Sequence, residues 1–442
     1  MEEKQENSNS WWDGEAAPKE TFKEAPKETP QQFSKKSKIV IISGISLLIL
    51  IVIITVVAIV VTKNRNSETT GTVETTENSE TTETIAGSGE QIISAALSSG
   101  SATATIGGKS VTYNAAYLVD GIDVTISGGT FESATDDQVT FLVINGGSLK
   151  INGDVLINKT GSADFSGRGD NYSFYGTNSA ITVVGAGSSI EINGATITSN
   201  VSGANAVVAT NGGEALVENV TITTQKDNSR GLHATYGGSI NADNTTISTK
   251  GGSCASLATD RGSGTVVADN MTLNTAGAGS PLIYSTGDIT VTNSKGTATG
   301  AQIAVVEGKN SINIQGCDFS TNGIGNRNNV DNAAVMIYQS MSGDASVGTG
   351  SFTATDSTLT VLESSSQYEN VPFFFITNTD ATINLTSVTA NFSSAQKFIV
   401  AKGTSEWGRS GSNGGKVTIT TTNLAATNTE TEVDNISSVT GL

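Results

Sequence analysis

Apolar and polar residues alternate along this chain in short bursts, and the bursts repeat. Between Ser189 and Leu273 the chain reads SSIEINGATITS, EALVENVTITT, SINADNTTIST and TVVADNMTLNT. Aligned on the first apolar residue, the four copies begin at Ile190, Ala215, Ile240 and Val266, at spacings of 25, 25 and 26 residues. Small or aliphatic residues fall at offsets 0, 2, 5 and 7, as in Ile190, Ile192, Ala195 and Ile197, or Ala215, Val217, Val220 and Ile222. Offsets 0 and 2 alternate with polar residues, which predicts a strand buried on one face. The step from 2 to 5 breaks the alternation, so the chain must turn there. Offset 4 holds Gly or Asn, which accept the left-handed backbone of a tight corner at least cost.

The figure recurs upstream at Val124 and Leu149, and downstream at Ile289, Ile312, Phe352, Ile383 and Val417, making eleven rungs. The corner residues are Gly128, Gly153, Gly194, Asn219, Asn244, Asn270, Asn293, Gly316 and Asp356, with Ser387 and Thr421 in the last two rungs. A further strand precedes each figure, as in FLVING, AVVATNGG, GLHATYGG, ASLATD and IAVVEGKN. Three short strands per turn predict an all-β parallel β-helix, a solenoid whose neighbouring rungs supply each other's hydrogen bonds. The crossover rule makes it right-handed. GEQIISAALSS, Gly89 to Ser99, fits a short amphipathic helix that would cover the open end of the core.

These residues resemble the right-handed parallel β-helix proteins of the pectin-lyase-like superfamily. They are similar in particular to the Gly-, Thr- and Asn-rich repeats of adhesin-like and autotransporter-passenger surface proteins. The resemblance spans about Ala104 to Leu424 and implies the fold; it leaves function open, because the same fold hosts lyases, hydrolases, adhesins and tail spikes. After Leu424 no C-terminal β-barrel and no cell-wall sorting motif is read. Pectate lyases of this fold carry a calcium cluster of Asp residues near a WxDH-type motif, which has no match here. Polygalacturonases carry NTD, DD, GHG and RIK in that order. Here NTD stands at Asn378 to Asp380, after the pair Asp136–Asp137, and GHG and RIK are missing. The resemblance therefore assigns no catalytic residue.

Composition narrows the remaining classes. Gly is abundant at 49, Pro scarce at 5 and aromatics only 5%, as corners and exposed strands require. A net charge of −18 argues against nucleic acid as a partner. Cys254 and Cys317 fall two or three rungs apart, ~10–14 Å at ~4.8 Å per rung, too far for a disulfide. His233 is the single histidine, expected near the inner column where neighbouring rungs have Val208 and Leu257. One histidine excludes a two-His metal site. GGKS at Gly107 lacks the first Gly of a P-loop, and no EF-hand or calcium nonapeptide occurs. Neither a metal nor a cofactor is expected.

Ahead of the repeat, residues 1–38 form a polar tail with no apolar period, read as disordered and cytoplasmic. Trp11 and Trp12 are its one unusual feature. Ile39 to Thr62 gives 24 residues without a charge, long enough to cross ~30 Å of hydrocarbon as a helix. Lys35, Lys36 and Lys38 precede it, against Lys63 and Arg65 after it. That bias places the C-terminal part outside the cell membrane. Residues 63–85 read as a Thr/Glu/Ser-rich stalk, and 86–442 as the β-helix ectodomain.

Nine N-x-S/T sequons occur, but Asn219, Asn244 and Asn270 are corner residues, so there the repeat itself generates the motif. Thr residues flank offset 7 (Thr196 and Thr198, Thr221 and Thr223) and would stack into an outward ladder, as exposed strands commonly do. The insertions carry more information. Rung spacing widens to 41 after Leu149, 40 after Ile312 and 34 after Ile383, and added residues in a solenoid become loops, often on the binding face. The first insertion contains Arg168, Gly169 and Asp170, a tripeptide that resembles an integrin-binding motif and also arises by chance. Tyr172, Phe174 and Tyr175 follow, and the last insertion offers Trp407 and Arg409. Aromatics beside polar groups suit carbohydrate stacking. The sequence thus predicts a membrane-anchored surface protein for adhesion or ligand binding, with a glycan or a host surface protein as partner. A lyase or hydrolase with an unrecognised site, and a structural spacer, are the alternatives. Function is expected in residues 159–188, 320–351 and 391–416, and scaffolding in the regular stretch.

Overall fold

Each corner places one residue in the left-handed region, and from that the rungs follow. In the computed structural model, which describes residues 92–322, 333–340, 344–362, 371–404 and 413–442, φ is 69° at Gly128, 79° at Gly153, 84° at Gly194 and 64° at Gly316. It is 56° at Asn219, 45° at Asn244, 53° at Asn270, 49° at Asn293, 46° at Asp356 and 54° at Ser387. Asparagine offsets the left-handed penalty of about 1–2 kcal/mol with local hydrogen bonds. Here those bonds form a ladder. Asn219 Nδ2 donates to Asn193 Oδ1 at 2.9 Å, Asn244 Nδ2 to Asn219 Oδ1 at 2.6 Å, and Asn270 Nδ2 to Asn244 Oδ1 at 3.3 Å. The three sequon nitrogens are therefore engaged in the scaffold.

The strands before and after the corners form a 21-stranded sheet with two columns, and the strand that opens each turn belongs to a 13-stranded sheet, the third column. Neighbouring rungs pair in parallel: Leu149 with Ile190, Ile190 with Ala215, Ala215 with Ile240, Ile240 with Val266, Val266 with Ile289, Ile289 with Ile312, Ile312 with Phe352 and Phe352 with Ile383. This is a parallel β-helix. The last rung departs from the sequence alignment: Ile383 pairs with Ile419, not Val417, so its corner is Asn423, at φ 53°, rather than Thr421. A slip of two residues keeps the same face inward, which is why alternation alone cannot detect it. The rung at Leu149 also carries a one-residue bulge, so that Val155 faces Ala195.

Inward residues of all three columns form one continuous core, from Val119 to Ile419, aliphatic in the middle and aromatic toward the ends. Each Ile, Val or Leu enclosed there contributes about 1.5–3 kcal/mol. Phe352, Phe373, Phe374, Phe392 and Phe398 fill the C-terminal part, with ring centroids 5.1–6.0 Å apart. Cys254 and Cys317 are free and buried, and burial pushes the Cys254 thiol up to about 12.

The N-terminal cover is β, not the helix the sequence suggests. Ile92–Ile93 pairs antiparallel with the first rung, and Gly100–Ile106 forms an antiparallel hairpin with Lys109–Asp120 at the edge of the third column. The exposed ladder of the first rung is a stronger template than an isolated turn of helix, because it offers a row of unpaired N–H and C=O groups. No helix among the described residues is long and apolar enough to cross a membrane. Ile39 to Thr62 lies outside the described residues, as do the tail and the stalk.

Candidate functional site

The insertions share one property. The corner between the first and second columns stays short in every rung, while the added residues flank the third column: 160–180 before Ile181–Val184, 322–334 and 339–349 on either side of Val335–Tyr338, and 403–415 after Ile399–Lys402. Among the described residues, the first and second insertions meet at Arg261, through Asp170 and Asp344. The strands of the third column are buried on both faces, as the four-residue strands Val207–Thr210, Leu232–Thr235 and Leu257–Asp260 show at every position.

The first insertion lies on the outer face of the third column. Phe165–Asp170 forms a short helix, α1, and Asn171–Tyr175 a π-turn that Gly176 ends at φ 69°. Outward side chains take up the π-turn's free carbonyls. Asn205 Nδ2 donates to Tyr172 O at 3.2 Å, Thr235 Oγ1 to Phe174 O at 2.7 Å, Tyr113 Oη to Tyr175 O at 2.8 Å and Thr182 Oγ1 to Gly176 O at 2.7 Å. Lys159, buried where the insertion begins, donates to Thr135 O at 2.8 Å and Thr160 O at 3.2 Å. Burial lowers its ammonium to about 8 against the pull of Asp136 and Asp137.

The tripeptide is part of this fastening. Arg168 pairs with Asp137, and Asp170 Oδ2 lies 3.3 Å from Arg261 Nη1. A side chain at Gly169 would meet Phe165 Cε1 at 2.8 Å. Tyr172 is buried and donates to Asp137, and Tyr175 is buried against the N-terminal hairpin. The sequence suggested exposed aromatics here; the fold uses them to seat the loop. Trp407 and Arg409 lie outside the described residues.

Beside the seated insertion is a cluster of ionisable side chains of which the sequence singled out only His233. Asp260 ends the third-column strand of the sixth rung. Its Oδ1 accepts the Arg261 backbone N–H at 2.9 Å. Its Oδ2 faces Arg230 Nη2 at 3.4 Å and His233 Nε2 at 3.8 Å, and all three side chains are at most 2% exposed. His233 pairs in the ladder with Val208 and Ala258, not Leu257, so it points outward rather than into the core. Both its ring nitrogens are buried without a hydrogen bond, as are both polar atoms of Asn178 on the same flank. Buried polar atoms in that condition are rare in folded proteins and mark places that a ligand could satisfy.

Electrostatics set the protonation states. Burial, followed by the charge of Arg230, holds His233 well below its ordinary range, so it is neutral. Burial raises Asp260 to about 7, against the pull of Arg230 and with added repulsion from Asp344 and Glu307. Burial also raises Glu307, which accepts hydrogen bonds from Tyr284 at 2.5 Å, Tyr338 at 2.9 Å and Ser340. Asp344, from the second insertion, meets Arg261 Nε at 2.7 Å and Nη2 at 2.6 Å. Arg261 also covers the Phe174 ring at 3.7 Å. One arginine thus ties together α1, the π-turn and the second insertion. Among the described residues no three His, Cys, Asp or Glu side chains are grouped to hold a metal ion.

Asp260 and Glu307 were legible as charges within ASLATD and IAVVEGKN, at ladder positions where other rungs have Thr210, Thr235 or Thr377. That they face Arg230, His233 and Asp344 was not.

No protein-family model matches the chain, and no curated protein matches it. Among solved structures, it is similar to the catalytic domain of a GH87 alpha-1,3-glucanase in complex with nigerose, with 11% identity and a TM-score of 0.37 over 73% of this chain and 62% of that one. It is also similar to an alginate lyase from Paenibacillus sp. str. FPU-7, with 14% identity and a TM-score of 0.25 over 72% and 92%. The chain therefore spans less than two thirds of the glucanase domain. The β-helix assignment rests on the ladders of this chain, and the site on its own side chains.

Proposed function

We propose that the protein hydrolyses a neutral polysaccharide bound on the outer face of the third column. The observation that carries this reading is Asp260, a carboxyl buried between Arg230 and His233, whose ring nitrogens make no hydrogen bond, and raised by that burial toward neutrality. A carboxyl tuned upward in this way suits general-acid catalysis of glycosidic cleavage, in which a second carboxylate activates water. In this reading the substrate must pass the seated insertion to reach the buried Asp260, which then donates its proton to the departing glycosidic oxygen, and Arg230 stabilises the carboxylate left behind. Asp344, held on Arg261, takes the proton of the water that adds to the anomeric carbon. The charge of the site selects the substrate class. Arg168, Arg230 and Arg261 are each already paired with a carboxylate, so a polyuronate would find these cations engaged.

The test is to incubate the full chain with panels of neutral glucans and polyuronates, following reducing ends and unsaturated uronate. Reducing ends from a neutral glycan, lost in Asp260→Asn, are expected. Unsaturated product from a polyuronate makes the protein a lyase instead, and binding without any product returns the adhesion reading. Display from a membrane through residues 39–62 is a separate proposal, carried by the sequence. Release of the chain by carbonate washing would overturn it.

A further inference from the structure

We infer that Tyr236 is the aromatic platform on which a neutral sugar ring stacks beside Asp260, an inference that rests on the carbohydrate reading above. The third column hands over to the first through a left-handed residue. Asn145 (φ 57°), Gly185 (92°), Asn211 (56°), Gly308 (66°) and Asn378 (58°) follow the third-column strand in other rungs. In the fifth rung the residue is Tyr236, at φ 46°. A bulky side chain is strained in that region, where Asn or Gly is not. The turn itself gives no reason for tyrosine, since the neighbouring rungs make it without one.

The ring packs against the cluster that contains Tyr113, Phe174 and Tyr175 without being enclosed by it. Tyr236 stacks on Tyr175, with centroids 5.5 Å apart and planes 16° from parallel. Tyr175 is 2% exposed, while Tyr236 is only partly buried. Tyr236 is therefore the member of the stack that meets solvent. Two glycines leave space for it: a Cβ at Gly107 would lie 2.6 Å from Tyr236 Cε1, and one at Gly262 2.5 Å from its Cδ1. Burial and the hydroxyl of Tyr175 keep its phenol neutral. Thr235, the residue before it, is the ladder partner of Asp260. A partly exposed aromatic ring beside the Tyr175 hydroxyl, on the rung next to the acid, has the chemistry to take the apolar face of an uncharged hexose.

The experiment measures melting temperature and calorimetric affinity of the full chain for linear α- and β-linked gluco-oligosaccharides, in wild type, Tyr236→Asn, Tyr236→Phe and Asp260→Asn. Tyr236→Asn is expected to melt higher than wild type, because strain is relieved, while binding about tenfold more weakly. Tyr236→Phe keeps most of the affinity. Unchanged affinity in Tyr236→Asn, with hydrolysis intact, overturns the platform and leaves the proposed function standing. A lower melting temperature in Tyr236→Asn overturns it too, by making the ring a packing element. If wild type neither binds nor cleaves any neutral glycan, the proposed function falls and the platform with it.

Discussion

Glu214–Glu218 and Leu232–Thr235 belong to consecutive turns of the same coil, yet their outward faces have opposite fates. In the first, Glu214 is exposed, Leu216 and Glu218 are partly so, and burial alternates with position. In the second every residue is buried, His233 and Thr235 included. A strand with one wet face carries polar side chains at little cost, whereas a strand covered on both faces must be apolar or satisfied. The third column carries Arg230 and Asp260 there as a pair, and His233 with neither ring nitrogen hydrogen-bonded. Ionisable groups held in such a place mark a site more clearly than the rows of threonine on the open face.

Substitutions of graded severity test that contrast. The largest effect is expected from Asp260→Asn: loss of hydrolysis by about 10²–10⁴-fold, measured as reducing ends, with circular dichroism unchanged. Next is Arg230→Met, which leaves Asp260 buried without its cation and is expected to cost about 3 kcal/mol in urea unfolding. If Arg230→Met unfolds like wild type, the buried pair is not what holds the site.

The pH profile gives a third test. A carboxyl raised in the folded state contributes stability that is fully present below its unfolded value of about 4. That stability is lost as pH rises through the folded value of about 7. Stability should therefore decline over that window in wild type and not in Asp260→Asn, and activity that needs the protonated acid should fall above it. A flat difference between the two proteins across the window would remove Asp260 from the acid role.

Smaller effects belong to the open columns. Asn244→Ala keeps the left-handed corner without its ladder bond and should cost about 1–2 kcal/mol, while Asn244→Gly, which relieves the backbone, should cost less. Thr223→Ala, on the outward face of the second column, should stay within about 0.5 kcal/mol of wild type. A large effect there would mean that the threonine row is not a plain solvated face.

Much of the coil was legible because its period is local. Every corner from Gly128 to Ser387 adopts the expected conformation, since only a few residue types accept positive φ. The exceptions have equally local causes. Ile383 pairs with Ile419 because a two-residue slip preserves alternation, and Ile92–Ile93 became a strand because an open sheet edge lay within reach. The site was less legible. The insertions were expected to hold function and the regular stretch only scaffolding, yet Arg230, His233, Asp260 and Arg261 all lie within the regular stretch. Asp170, Phe174 and Asp344 reach them from the insertions.

The amino-acid sequence by itself determined the rungs, the corners and the places where the coil is interrupted, because periodicity and backbone preference act over a few residues. Only the tertiary structure decided which outward face is covered. Coverage depends on where residues 160–176 fold back, and that is set by hydrogen bonds to side chains on three different strands, at Tyr113, Thr182 and Thr235, and to Asn205 in the turn before Val207–Thr210. That covering turned an ordinary surface aspartate into the buried acid, Asp260.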